Sequence, residues 1–454
     1  MSSEKSSTKK QLPEFDSLAQ INLNAAGLDI GDTEIWVCVP PDRAEQPVRG
    51  FKTFTADLYA LADWLRECGI DTVAMESTGI YWIPIYEILD ERGFEVNLVN
   101  AHHLKNVPGR KSDVQDCQWV QQLHTFGLLR GSFHPDEQMR TVRAYTRQRA
   151  TLIEGRAQHI QHMQKALQLM NLKLTHVISD ITGQTGLTII RAIVAGQHDP
   201  HQLAKFRNPH CRKSEAEIAK SLEGNYRAEH LFALQQALEL YDFYTQQIQA
   251  CDAHLEANYQ AVKPQFDLAH QPLPPARRTS RDKNSPTFDL RLYLYQMTGV
   301  DLTQIDGINV LTAQTVLAEI GLDMSKWPSV KHFTSWLGLC PYQDVSGGKV
   351  LKSRTKPSKN RATTALRMAA QALSHSHSPL GNYYRLMRAR HGPAKAITAA
   401  AHKLARIIYH LLKYRQPFDP NQLEHNQQQL QQRRLKRLKR QAAQLGLELV
   451  PASA

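Results

Sequence analysis

Asp29 sits inside an apolar run, Gly27-Leu28-Asp29-Ile30-Gly31, where an unpartnered carboxylate is costly to bury. Glu76 closes a second run, Val73-Ala74-Met75, and Ser77-Thr78-Gly79 follows it as a turn. Asp113 and Asp116 are three residues apart at the start of a helical pattern and therefore share one helix face. Each has an ordinary use as well. Asp-x-x-Asp at a helix start favours the helix dipole, a Glu at a strand end commonly faces solvent, and Asp29 would need one specific buried partner. As an ordered set the four offer another chemistry. Two-metal phosphodiester chemistry needs several carboxylates converging on one point to hold ions about 4 Å apart. Magnesium takes hard oxygen ligands and keeps waters and substrate phosphate in its shell, so a few carboxylates suffice.

A second set lies far along the chain. Ser346-Gly347-Gly348-Lys349 predicts a tight turn that leaves Ser346 accessible. A serine there is a turn residue, a phosphate ligand or a nucleophile toward phosphorus; Ser335 and Ser353 are nearby competitors. Lys349, Lys352, Arg354, Lys356, Lys359 and Arg361 follow at once and are candidate nucleic-acid contacts. Upstream, Leu302–Gly321 has a helix-hairpin-helix-like pattern. Its Gly307 would let backbone amides approach a phosphate, or would simply turn an ordinary helical hairpin.

The surrounding charge favours a polyanionic partner. From Val345 to Phe418 there is no Asp or Glu, yet 15 of the 55 Lys and Arg lie there, so the other 40 face all 43 acids. The chain is thus a near-neutral body with one strongly basic domain, whose self-repulsion phosphates relieve. The six cysteines are scattered without a C-x-x-C pair, which argues against a zinc site or a disulfide framework. No apolar run approaches a membrane span, and the polar N-terminus lacks the apolar stretch of a secretory signal. A cytoplasmic protein without a membrane partner is expected.

These residues need elements to position them. Residues 1–22 are polar and expected to be disordered. Ala25–Val39 reads as two strands turned at Gly31-Asp32, Leu58–Cys68 as a helix, Thr72–Met75 as a strand, Tyr81–Arg92 as a helix and Glu95–Val99 as a strand. A helix from Asp113 closes an α/β domain with a mixed sheet over 23–140. Residues 141–262 predict a helical, coiled-coil middle: one helix over Thr141–Leu174 and a second over Ser214–Ala261, weakened at Gly224. A proline-rich linker over 263–296, a mostly helical domain over 297–415 and a basic Gln/Arg-rich tail over 416–454 complete the organisation.

Residues 27–32 (GLDIGD), 74–82 (AMESTGIYW) and 110–119 (RKSDVQDCQW), with Leu337–Lys349, resemble the DEDD transposases of insertion sequences of the IS-one-ten and IS-eleven-eleven type. The resemblance covers roughly 25–145 and 297–415. It implies an RNase-H-like (RuvC-like) N-terminal domain with Asp29, Glu76, Asp113 and Asp116 as the four acids, on two magnesium ions. It also implies that Lys111 and Ser112 touch the scissile phosphate, and that Ser346 is the recombination nucleophile, forming a covalent phosphoserine link to DNA. As partners it implies DNA, a structured guide RNA encoded by the element, and a homo-oligomer, dimer or tetramer. Two other functions fit the same residues: a RuvC-like nuclease using metal-activated water alone, and a non-catalytic nucleic-acid-binding protein with incidental acids.

Overall fold

The computed structural model describes residues 18–448 except 78, 101–112, 263, 265, 267–270, 278–281 and 359. Two compact units divide the chain, one running to His134 and the other starting at Pro135.

The first unit is built on a five-stranded sheet: β1 (Ala25–Ile30), β2 (Glu34–Cys38), β3 (Val48–Lys52), β4 (Thr72–Glu76) and β5 (Glu95–Val99). Their order across the sheet is β3-β2-β1-β4-β5. β1–β2 and β2–β3 are antiparallel, whereas β1–β4 and β4–β5 are parallel, so the sheet is mixed, as expected. The β1–β2 hairpin turns at Gly31, whose amide donates to the Glu34 carbonyl at 2.9 Å; a Cβ on Gly31 would meet that same oxygen at 2.8 Å.

Strand alternation sends side chains to opposite faces. Ala26, Leu28, Ile30, Val73, Met75 and Leu98 join one core with Leu58, Leu61 and Leu65 of α1 (Thr55–Glu67) and Ile85, Ile88 and Leu89 of α2 (Trp82–Glu91). The other face carries Ala74 and Val99, packed against Val120 of α3 (Asp113–Thr125). Both faces are covered, which is why β1 and β4 read as nearly continuous apolar runs. Within the stretch expected to be disordered, the Ile21 and Asn22 amides donate to the Thr125 carbonyl at 2.9 Å, tying that segment to the end of α3.

The second unit opens with α4 (Glu137–Leu169), followed by the short α5 (Leu174–Val177), α6 (Gln184–Val194), α7 (Pro200–Ala204) and α8 (Glu215–Ser221), and then α9 (Ala228–Ala261). α4 and α9 run antiparallel, with Tyr145 stacked on His254, Arg149 paired with Asp252, and His159 stacked on Tyr244. The helix expected from Ser214 is in fact two. The chain leaves helical geometry around Gly224, where a Cβ would stand 2.3 Å from the Met170 carbonyl oxygen, and Tyr226 has φ 43°. Close backbone approach, not helix propensity, decides the break. The intervening short helices cap one end of the pair around Ile189, Ile190, Leu203 and Ile218.

Further along come α10 (Leu290–Thr298), which begins inside the stretch expected as a linker, α11 (Val310–Ile320), α12 (Val330–Trp336) and a hairpin of β6 (Pro341–Ser346) with β7 (Lys349–Thr355). The helices α13 (Arg361–Ala372), α14 (Pro379–His391), α15 (Pro393–Tyr414) and α16 (Pro420–Gln444) follow. Arg147 holds Glu319 of α11 through two hydrogen bonds at 2.8 and 2.9 Å, which joins α4 to this part of the unit. No helix among the described residues is long and apolar enough to cross a membrane.

Candidate active site

The register of the parallel pair sets the first two acids. Leu28 is level with Met75, so Asp29 and Glu76 follow in step on neighbouring strands, which lie about 4.8 Å apart. Asp29 leaves β1 on the face opposite Leu28, and Glu76 leaves β4 on the face opposite Met75. That is the face α3 covers. Thr72, on this face of β4, has its hydroxyl 2.9 Å from His124 Nε2, and the Gln121 amide donates to the Ala25 carbonyl at 3.4 Å.

Gly27 explains how close the helix lies. A Cβ there would stand 2.2 Å from the Gln121 nitrogen and 2.5 Å from the Cys117 oxygen, so α3 rests on the bare backbone of β1. The helix runs against the strand direction, its C-terminal His124 at the beginning of β4. From Cys117 back to Asp113 is about one turn, or ~6 Å. From Gly27 forward to Asp29 is two strand residues, or ~6.6 Å. The acidic first turn of α3 and the C-terminal ends of β1 and β4 are therefore brought to one end of one sheet face. Asp29, Glu76 and Asp116 are half-buried there and Asp113 is exposed. Ser77 holds the end of β4 to β5, its amide and hydroxyl both donating to the Val99 carbonyl, at 2.8 and 3.0 Å.

Burial first, then the neighbouring Cys38 and Asp29, pushes the Cys117 thiol up, which makes it an inert packing group and places the Asp29 charge beside this turn of α3. Among the described residues, no three His, Cys, Asp or Glu side chains close around a single point as a full ligand shell would. The donor set nevertheless suits magnesium: hard carboxylate oxygens on one face, partly open to solvent, where water and phosphate complete the coordination.

Ser346 belongs to the second unit. It ends β6 opposite Lys349, and the two residues between them, Gly347 and Gly348, have φ 54° and 76°. Two successive positive φ values make the two-residue turn that matches strand twist. A Cβ on either glycine would meet nothing within 4 Å, so Ser346 stands in open surroundings. It is exposed, as are Lys349, Lys352, Arg354, Lys356 and Arg361. The segments flanking the hairpin are anchored. There Leu337 and Leu339 are buried, and the Thr363 hydroxyl donates to the Leu337 carbonyl at 2.6 Å. Ser335 is exposed on α12, and Ser353 lies mid-strand opposite Gln343. Lys111 and Lys359, with Thr78 and Ser112, lie outside the described residues.

Around Gly307 the expected pair of helices is a single 3-10 turn, Leu302–Gln304, leading into α11. Gly307 has φ 85°, and a Cβ on it would stand 2.7 Å from the Ala369 carbonyl oxygen, so its close approach is to α13. It borders a cavity of about 680 Å³. The arginines there are held by acids of the same chain, Arg277 by Asp306 at 2.9 Å and Arg291 by Asp301 at 2.5 Å.

Two family models match the chain. A DEDD transposase model of the IS110 type, described as a transposase, matches residues 26–172, and a model described as transposase of the IS116/IS110/IS902 family matches residues 301–385. The first interval holds Asp29, Glu76, Asp113 and Asp116; the second holds Gly307 and Ser346. The chain belongs to the IS110-type DEDD transposase family. No curated protein matches it. Membership implies an RNase-H-like first domain, in keeping with the mixed five-stranded sheet, together with action on DNA and, as is normal for DEDD transposases, divalent metal ions.

Proposed function

We propose that this transposase cleaves and exchanges DNA strands for insertion-sequence mobility, with Asp29, Glu76, Asp113 and Asp116 as the magnesium site and Ser346 as the nucleophile. The observation that supports this reading is that Asp29 and Glu76 end neighbouring strands on the sheet face covered by α3, whose first turn carries Asp113 and Asp116. When bound, the metal ions supply activation of the attacking oxygen and stabilisation of the leaving one.

The chain's own part is as follows. Asp29 and Glu76, fixed by strand register, hold the carboxylate geometry with little freedom to relax. Ser346 releases its hydroxyl proton to water as its Oγ bonds to phosphorus, and the phosphorus–oxygen bond to the departing deoxyribose breaks. The departing oxygen takes up a proton. The serine–phosphate link keeps the diester count unchanged, so a hydroxyl of another strand can attack it, rejoin the DNA and return Ser346. Lys349, Lys352, Arg354, Lys356 and Arg361 neutralise the phosphates on either side. A guide RNA encoded by the element and a homo-oligomer belong to this proposal. The open basic hairpin, in which Asp344 is the one acid among Lys349, Lys352 and Arg354, suits RNA as well as DNA.

The test is a covalent one. Purified protein, RNA transcribed from the element's non-coding flank and end-labelled junction DNA are incubated with magnesium, then denatured. A labelled protein–DNA adduct lost in both Ser346→Ala and Asp29→Ala is expected. Cleavage that requires Asp29, ignores Ser346 and leaves no adduct would make the enzyme a nuclease using water.

A further inference from the structure

The start of α2 and the two residues before it carry apolar side chains that the core of the unit does not use. Ile85, Ile88 and Leu89 fill the buried face of that helix, and Trp82 and Tyr86 pack edge-on against each other and against His134. Ile80, Tyr81 and Ile83 remain outside, 71%, 51% and 38% exposed. Contiguous exposed apolar groups of this size are uncommon on a protein surface without a role.

Their position gives them one. They follow Glu76 by four, five and seven residues, beyond a turn in which Gly79 has φ 58°. Ser77 is pinned to Val99, so the turn leaves the sheet at the end where the four acids stand. Five residues span at most about 17 Å, and successive nucleotides of a strand are about 3.4 Å apart. Tyr81 therefore lies within about five nucleotide spacings of a phosphate held at Asp29 and Glu76.

From this juxtaposition we infer that Ile80 and Tyr81 form a wedge that enters the DNA beside the scissile phosphate, Tyr81 stacking on a base that has left its partner. The proposal rests on the carboxylate site being the metal site. Apolar side chains inserted between base steps unstack them, and an aromatic ring is a stacking platform for any base. The wedge would free a strand from its duplex at the point where exchange requires it unpaired.

The experiment uses full-length protein, the flank-derived RNA, and junction duplexes carrying 5-iodo-deoxyuridine or 2-aminopurine at successive positions. Iron(II) and ascorbate, added to the same complexes, cut the DNA next to the carboxylates and so locate the metal site independently. Irradiation is expected to cross-link the peptide holding Tyr81 to a base within about five nucleotides of the iron cut. 2-Aminopurine at that base should brighten several-fold with wild type and Tyr81→Phe, and stay dark with Tyr81→Ala. A two-base mismatch there should restore cleavage to Tyr81→Ala, whose unchanged iron cut reports an intact fold. Local iron cuts with cross-links only elsewhere, or with equal brightening in Tyr81→Ala, would overturn the wedge alone. Absence of any local iron cut from wild type would overturn the metal site and the wedge with it.

Discussion

The carboxylates and the serine stand on opposite kinds of scaffold. Asp29 and Glu76 are on adjacent central strands with both sheet faces covered, and α3 lies directly on the backbone of Gly27. Ser346 tips a two-stranded ribbon whose residues are nearly all exposed, including Val345, Val350 and Leu351. Two strands alone are marginally stable in water. The contrast fits two tasks. Charges that must converge on cations need preorganisation, because any slack is lost electrostatic stabilisation. On the proposed mechanism, a serine that attacks a phosphate gains from a support that adapts to nucleic acid.

Ser346→Ala should abolish the covalent adduct altogether and leave unfolding free energy within about 0.5 kcal/mol, as expected for an exposed residue; a measurable change in the denaturation midpoint would show the hairpin to be more integral than described. Asp29→Asn should lower cleavage by roughly 10³-fold, the scale of removing a fixed electrostatic partner, while near-ultraviolet circular dichroism stays native. An activity loss accompanied by unfolding would make Asp29 structural.

Stability changes sharpen the same contrast. Gly27→Leu should cost roughly 3 kcal/mol or more, since overpacking against backbone leaves no side chain able to yield, and urea titration of the first unit reads it. His124 provides a pH probe of that packing. Burial lowers its pKa from the ordinary 6.5 to about 4, so it stays neutral in the folded unit but takes a proton in the unfolded chain. Stability is therefore full above about pH 6.5 and falls as pH drops from there toward 4, by roughly 2–3 kcal/mol. His124→Gln should flatten that part of the pH dependence, and an unchanged slope would assign it to other groups. The smallest effect is expected at the ribbon. Gly347→Val should destabilise the turn by about 1–2 kcal/mol through its positive φ, visible as faster amide exchange in β6 and β7 only, whereas Gly347→Asn should be nearly neutral.

Much of the first unit was legible in the sequence. Gly31-Asp32 marks the β1–β2 turn, and Gly69 and Gly93 follow the helices they end. β3 was not legible, because only Phe51 of Val48–Lys52 is buried and an edge strand so open has no alternation to read. The helices between Leu174 and Ser221 are short and take their shape from the end of the long pair. Gly27 was missed as a site residue although a glycine inside an apolar strand is itself a signal of close backbone approach. At Gly307 the same signal had two meanings, and packing against Ala369 is the one visible in the fold.

The sequence by itself determined the residue types, their order and the local geometry: four acids on strand ends and a helix start, a serine before two glycines, a basic stretch without acids. Such features depend on neighbours a few positions apart, and period and turn chemistry report them. Tertiary packing selects the parallel pairing of β1 with β4, which sets Asp29 level with Glu76, and the return of α3 onto Gly27, which brings Asp113 and Asp116 to the same end. Those contacts join residues about 50 to 90 positions apart. They are selected by the packing of whole faces, which no local pattern encodes.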